Sequence, residues 1–264
     1  MIFLEIRAIV IKVADYGESD KIITFFSEQR GKLVGIAKGA KRSKKRFVNK
    51  LEFFSLLEIT AAPSRHSSLY RVENATLLSP FPALRQDYHR YAAAMLVCEL
   101  VDQWTREEDG AADLFHLLHW CMTDLSRTTN CPATVVFFLV HLLRQLGFSP
   151  QLDHCHACGV SMDECRFPRF SLADNSLLCT ACAALRPSTT NPVSLAALKS
   201  LRMMRSLPPA RMARLKISAA LLADIAAILK DITHFHLQRE IISWDQGMKY
   251  SPLHPFSSPS PPAR

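Results

Sequence analysis

A chain of 264 residues that is 48% hydrophobic can bury two or three cores. Its formal charge of +8 is unevenly spread: residues 1–80 carry 14 basic and 8 acidic side chains, residues 81–150 carry 5 and 8, and residues 151–264 carry 13 and 8. The longest apolar runs, at 135–140 and 218–229, fall short of the ~20 residues of a membrane span, and Glu5, Arg7 and Lys12 interrupt any secretory apolar stretch, so a cytosolic chain with reduced thiols is expected.

The first eighty residues read as β structure. Strands are predicted at 3–13, 21–27, 32–38, 51–61 and 67–78, separated by the turn cluster "DYGESD", by "EQRG" and by the breaker "APSRH". Five short strands without intervening helices are solved most economically by a small closed barrel, which removes exposed sheet edges. An OB-fold fits, and strand count alone does not separate it from an SH3-like barrel.

From Pro82 the apolar period becomes helical. A helix is predicted over 83–104, a second over 114–125, and a third over 131–147 with Pro132 near its start and Gly147 at its end. The acidic cluster Glu107, Glu108 and Asp109 between them reads as a solvated helix terminus. Helices resume at 195–207 and 213–237, the latter with the apolar stripe Leu215, Leu222, Ile225, Leu229 and Ile232. Cys98, Cys121 and Cys131 fall in apolar helical patterns as small core residues. The last fifteen residues hold five prolines and are expected to be disordered.

Between the helical stretches lie two C-x2-C pairs, Cys155/Cys158 and Cys179/Cys182. Each such turn offers two thiolates to one ion, and two turns complete a tetrahedron, so the spacing points to a structural Zn2+. Four thiolates leave no open position for a reacting water. No glutamate follows His154 or His156 in the pattern of a zinc deaminase, and Cys165 is left as a spare thiol. The predicted architecture is therefore α+β and multidomain. A five-stranded barrel (1–80) precedes an all-α helical domain in two parts (81–150 and 191–249), with an inserted four-cysteine zinc-finger module (151–190) and a proline-rich tail (250–264).

No acidic residue occurs between Glu28 and Glu52, yet that interval holds nine lysines and arginines, centred on "AKGAKRSKKRF" between the third and fourth predicted strands. Taken alone the run reads equally as a solvated, disordered loop or a nuclear-localisation-like patch, but on an OB-like barrel beside a zinc module, cations at this position would track phosphates. Phe25, Phe26, Phe47, Phe53, Phe54 and Tyr70 lie nearby, and aromatics on strands more often fill cores than stack bases. Phosphate-loop, dinucleotide, metalloprotease and serine-hydrolase motifs are all missing from the sequence. His116 and His119 share a helix but are flanked by core leucines. No catalytic constellation emerges, so a binding protein rather than an enzyme is expected.

The series "GESDKIITFFSEQRGKL" followed by "GIAKGAKR", together with the order barrel, helices, paired CxxC and more helices, resembles the bacterial RecO family of recombination mediators. That resemblance implies an N-terminal OB-fold and binding of single- and double-stranded DNA. It also implies ATP-independent annealing of complementary strands, partnership with RecR and single-stranded DNA-binding protein, and help in loading RecA in the bacterial cytoplasm, at the nucleoid. By matching position it assigns DNA contact to Lys38, Lys41, Arg42, Lys44, Lys45 and Arg46, and metal ligation to Cys155, Cys158, Cys179 and Cys182. The rival reading is a zinc-containing scaffold without annealing activity.

Overall fold

The computed structural model describes residues 3–64, 67–110, 112–186 and 190–249. The expected disordered tail, 250–264, lies outside the described residues. Strands β1 (Leu4–Tyr16), β2 (Asp20–Ser27), β3 (Gly31–Ala37), β4 (Leu56–Pro63) and β5 (Tyr70–Ser79) close into a barrel in the order β1-β2-β3-β5-β4. All neighbours are antiparallel except β3 and β5, which meet in parallel at Gly35 and Ile36. A five-stranded barrel of this kind is an OB-fold, which settles the choice against the SH3-like alternative. At the closure the backbones approach so tightly that a Cβ on Gly35 would lie 2.9 Å from Val72 Cγ2.

The continuous apolar run in β1 is explained by burial on both faces. Ile6, Ala8 and Val10 join Ile23 and Phe25 inside the barrel, whereas Ile9, Ile11 and Phe26 point outward into the core of the helical domain. The same division corrects the fourth strand, which begins at Leu56 and not at 51. Leu51 is drawn into the barrel, Phe54 into the helical core, and Phe54 takes a left-handed backbone (φ 71°) between the two. An apolar stretch split between two cores cannot keep the period of a strand.

Beyond the barrel come α1 (Pro82–Gln86), α2 (Tyr88–Trp104), α3 (Ala112–Leu125) and α4 (Cys131–Gln145). The single helix expected over 83–104 is broken at Asp87, whose side chain caps α2 by accepting the Arg90 N–H at 2.9 Å. A small sheet follows, β6 (Gln151–Cys155), β7 (Arg169–Ser171), β8 (Ser176–Leu178) and β9 (Thr190–Pro192), in the order β6-β8-β7-β9, with α5 (Thr180–Ala184) after β8. Then come α6 (Leu195–Ser206), α7 (Ala219–Leu237) and α8 (Trp244–Gly247). Helix α7 starts at 219, later than expected. Ser218 caps it there, after a 3-10 turn at Pro209–Arg214. Leu222, Ile225, Leu229 and Ile232 form its buried stripe. Among the described residues no helix is long and apolar enough to cross a membrane.

Glu107, Glu108 and Asp109 are exposed beyond the end of α2, as expected. They form a strap along the part of β3 that β5 leaves uncovered. Glu107 bridges to Lys32, the Glu108 N–H donates to the Lys32 carbonyl at 2.9 Å, and the Tyr70 hydroxyl donates to Glu108 Oε1 at 2.6 Å. Lys32 in turn reaches Asp102 at 3.2 Å, so the strap and α2 hold the barrel from one side. The passage is so close that a Cβ on Gly31, which sits at φ +65°, would lie 2.1 Å from the Asp109 carbonyl oxygen. Gly31→Ala is therefore expected to lower stability by roughly 1–3 kcal/mol from backbone strain alone, with displacement of the strap adding to it. Urea unfolding reads this, and an unshifted midpoint would show that the strap is not tied to β3.

Candidate nucleic-acid surface and metal centre

The basic segment between β3 and β4 is bracketed against the β1–β2 hairpin. Asp20 Oδ1 accepts the Gly39 N–H at 2.8 Å, and the Lys41 N–H donates to the Ser19 carbonyl at 2.9 Å. Gly39 takes the left-handed conformation that starts a 3-10 turn over Ala40–Arg42. Hydrogen bonds from Gly39, then from Ser19, hold the Asp20 carboxyl below its usual value, so it stays an anion in this latch. Farther along, Phe47 and Leu51 are buried in the barrel core, and Lys50 Nζ donates to the Ala75 carbonyl at 2.7 Å. The loop is thus anchored at both ends while its cations face solvent.

Those cations are not equivalent. Lys38 is exposed at the end of β3, close enough to Asp20 to act on its charge. Lys41 pairs with Asp15 at 3.1 Å and Arg42 with Glu18 at 3.4 Å. Arg46 donates to the Lys38 carbonyl at 2.8 Å and stands 4.5 Å over the Phe47 ring. Lys44 and Lys45 are exposed, with no hydrogen bond or ion pair among the described residues. The structure therefore brings all six onto one rim of the barrel, three of them held by internal partners.

Beside this rim runs a cleft of about 610 Å³ between the β1–β2 hairpin and the β4–β5 connection, the two loops that flank the oligonucleotide groove of OB-folds. Tyr16, Asp20, Ile36, Lys38, Ser67 and Leu69 are among its lining residues. The aromatics noted in the sequence are elsewhere: Phe25, Phe26, Phe47, Phe54 and Tyr70 are buried, and Phe53 packs on the helical core. The sequence reading missed Tyr16, which is 55% exposed at the cleft mouth. Its signal was its position directly before the turn glycine Gly17, where no core demands an aromatic side chain.

The four paired cysteines converge. Cys155 ends β6, Cys179 follows β8 and caps α5, and these strands lie side by side, so the fold brings the two C-x2-C turns face to face. All four Sγ atoms lie within 4.8 Å of one another, and Cys158 and Cys179 are 3.7 Å apart. A tetrahedron with metal–sulfur bonds of ~2.3 Å has edges of about 3.8 Å, so the donor set fits such an ion. Burial pushes the Cys155 thiol up, but N–H groups of Cys179, Cys158 and Ala157 outweigh it and bring it down to about 6. The neighbouring Cys179 and then Cys158 sulfurs push Cys182 up to about 12. Four thiolates this close repel one another unless a cation sits among them. The four cysteines can hold a metal ion.

The other candidates stay apart. Cys165 is buried with its Sγ 3.9 Å from Thr180 Oγ1, outside the sulfur group. His156 lies 3.7 Å from Asp174, and His154 is exposed. His116 faces Glu28 at 3.5 Å, and His119 is wedged near Phe81 and Phe115, where burial and then Arg7 lower its pKa. Cys98 and Cys121 are wholly buried, and burial drives both thiols up. Burial likewise raises Cys131, to about 11.

Family comparisons agree with this layout. A family model described as "Recombination protein O N terminal" matches residues 1–81, and "Recombination protein O C terminal" matches residues 85–245. The chain is 32% identical over 239 residues to the DNA repair protein RecO of Myxococcus xanthus, covering 90% of this chain and 94% of that one. It is 28% identical over 236 residues to the RecO of Syntrophus aciditrophicus, covering 89% and 91%. With the Roseiflexus protein of the same name it shares 32% identity over 234 residues, covering 89% and 81%. An OB barrel, a helical domain and sequence similarity across nearly the whole length together place the chain in the RecO family of DNA repair proteins.

Proposed function

We propose that this chain is a recombination mediator that binds single- and double-stranded DNA and anneals complementary strands without ATP. It would help load RecA onto DNA coated by single-stranded DNA-binding protein, acting with RecR at the nucleoid. The observation that carries the reading is the rim of six cations, Lys38, Lys41, Arg42, Lys44, Lys45 and Arg46, fixed beside an OB-fold cleft. Two complementary strands repel each other through their phosphates. A basic surface that engages both releases counterions, lowers that repulsion and concentrates the strands, after which pairing itself supplies the driving force. Nothing in this scheme needs a reacting group, so the chain acts as a binding protein and not as an enzyme.

In this reading the ion of the four-cysteine site is Zn2+, bound by Cys155, Cys158, Cys179 and Cys182. When bound it supplies cross-linking and charge balance, because four thiolates fill its coordination sphere. The test is fluorescence annealing of complementary oligonucleotides without nucleotide. Acceleration at catalytic or stoichiometric protein supports the mediator. Binding without acceleration would leave a DNA-binding scaffold instead.

A further inference from the structure

Resting on the DNA-binding reading above, the geometry points to Tyr16 as a base-stacking residue that makes the barrel cleft a site for unpaired nucleotides, distinct from the loop rim that engages any phosphate backbone. The cleft is asymmetric. Its lining carries two cations, Lys38 and the Glu73-paired Arg71, while Ile36 and Leu69 provide apolar surface and Asp20 contributes an anion whose negative charge is secured by the Gly39 N–H. A phosphate is attracted to Lys38 and Arg71 and repelled from Asp20, whereas a neutral base meets apolar surface and an aromatic face. The volume of about 610 Å³ falls in the range of small-molecule pockets.

Tyr16 stands out from the other exposed apolar side chains. It is the last residue of β1 and pairs with Asp20 across the hairpin, so a rigid strand end presents its ring. Its side chain has no aromatic partner and no hydrogen bond among the described residues, and more than half of it is exposed. A ring held this way loses little conformational freedom when a base stacks on it, and stacking needs an unpaired base with a free face. Lys44 and Lys45 lie on the loop rim and make no such distinction, because phosphates are common to single strands and duplexes. The barrel would then hold one strand by its bases and tolerate a second by its backbone, as annealing requires.

The test is fluorescence anisotropy with an oligo-dT strand and with a duplex of equal length, on wild type, Tyr16→Ala, Tyr16→Trp, and Lys44→Gln/Lys45→Gln. Tyr16→Ala should weaken single-strand binding about 5- to 150-fold and leave duplex affinity and the salt slope unchanged. Tyr16→Trp should retain single-strand affinity. The double lysine variant should weaken both substrates. Equal loss on both substrates in Tyr16→Ala, or no loss on either, overturns the stacking role. Unaffected binding in the lysine variant with a selective loss in Tyr16→Ala would remove the loop from the DNA surface and keep the cleft. Wild type that binds neither substrate sinks both.

Discussion

Replacing Lys41, Arg42, Lys44, Lys45 and Arg46 together with glutamine should flatten the log–log salt dependence of single-strand binding by up to about 3.5, at roughly 0.7 for each phosphate no longer neutralised. Lys44→Gln with Lys45→Gln alone should account for about 1.4 of that, since these two cations have no protein partner to surrender among the described residues. Lys41 and Arg42 must leave Asp15 and Glu18 to meet a phosphate. Exposed pairs of this kind are worth only ~0.2–1 kcal/mol, so phosphate competes with them successfully, but their net contribution is smaller than that of a free lysine. Arg46 contributes through its stem as well, stacked over Phe47 and bonded to the Lys38 carbonyl. Glutamine keeps a polar stem in each place, and the loop stays anchored through Phe47, Leu51 and the Asp20–Gly39 bond. The annealing rate should fall in step with affinity. A slope equal to wild type in the five-residue variant would move the binding surface off this loop and remove the main support for the mediator reading.

Local chemistry was the most legible part of the sequence. The two C-x2-C turns are covalent spacings that no tertiary contact alters, and the fold sets them opposite each other as expected. The barrel was legible because its strands are short, alternate or doubly apolar, and separated by strong turn residues. What could not be read were places where one segment serves two cores or bridges two elements. Phe53 and Phe54 look like strand residues, yet Phe54 leaves the barrel for the helical core. Glu107 to Asp109 are the solvated run they look like, but they also follow β3, because the short β3–β5 pairing leaves part of that strand open. The cleft was invisible for the same reason. Tyr16, Ile36 and Leu69 are far apart in sequence and meet only when β3 and β5 close the barrel. Asp87 shows the converse, a cap signal present in the sequence but hidden inside a longer apolar period.

With Zn2+ in the four-cysteine site as proposed above, its removal by chelation or by Cys182→Ser should melt the four-cysteine module while leaving the barrel folded. Structural zinc in small domains contributes an apparent ~10–16 kcal/mol near neutral pH, comparable with or larger than the ~5–15 kcal/mol that holds a whole domain. The module has no separate hydrophobic core: Leu152, Met162, Phe170, Leu177 and Leu178 share the core of the helices. Arg202 also clamps its base, at 3.2 Å from Asp153 and 2.6 Å from Asp163, while Arg205 reaches Asp153 at 3.1 Å. The two pairs to Asp153 should retain β6 on α6 after the ion is removed, so fraying begins between Cys155 and Cys182, outside the stretch that Arg202 holds at Asp163, and spreads to the helical core. Hydrogen exchange should therefore show reduced protection at 156–186 first and least change at 4–79, and metal analysis should fall from one zinc per chain to none. Unchanged protection in a metal-free variant would make the four cysteines a surface cluster without a structural role. The barrel's own core is built from other residues, so oligonucleotide binding should survive the melting. If binding disappeared while the barrel stayed protected, the module itself would have to touch DNA, and the ion would belong to the binding surface and not only to the scaffold.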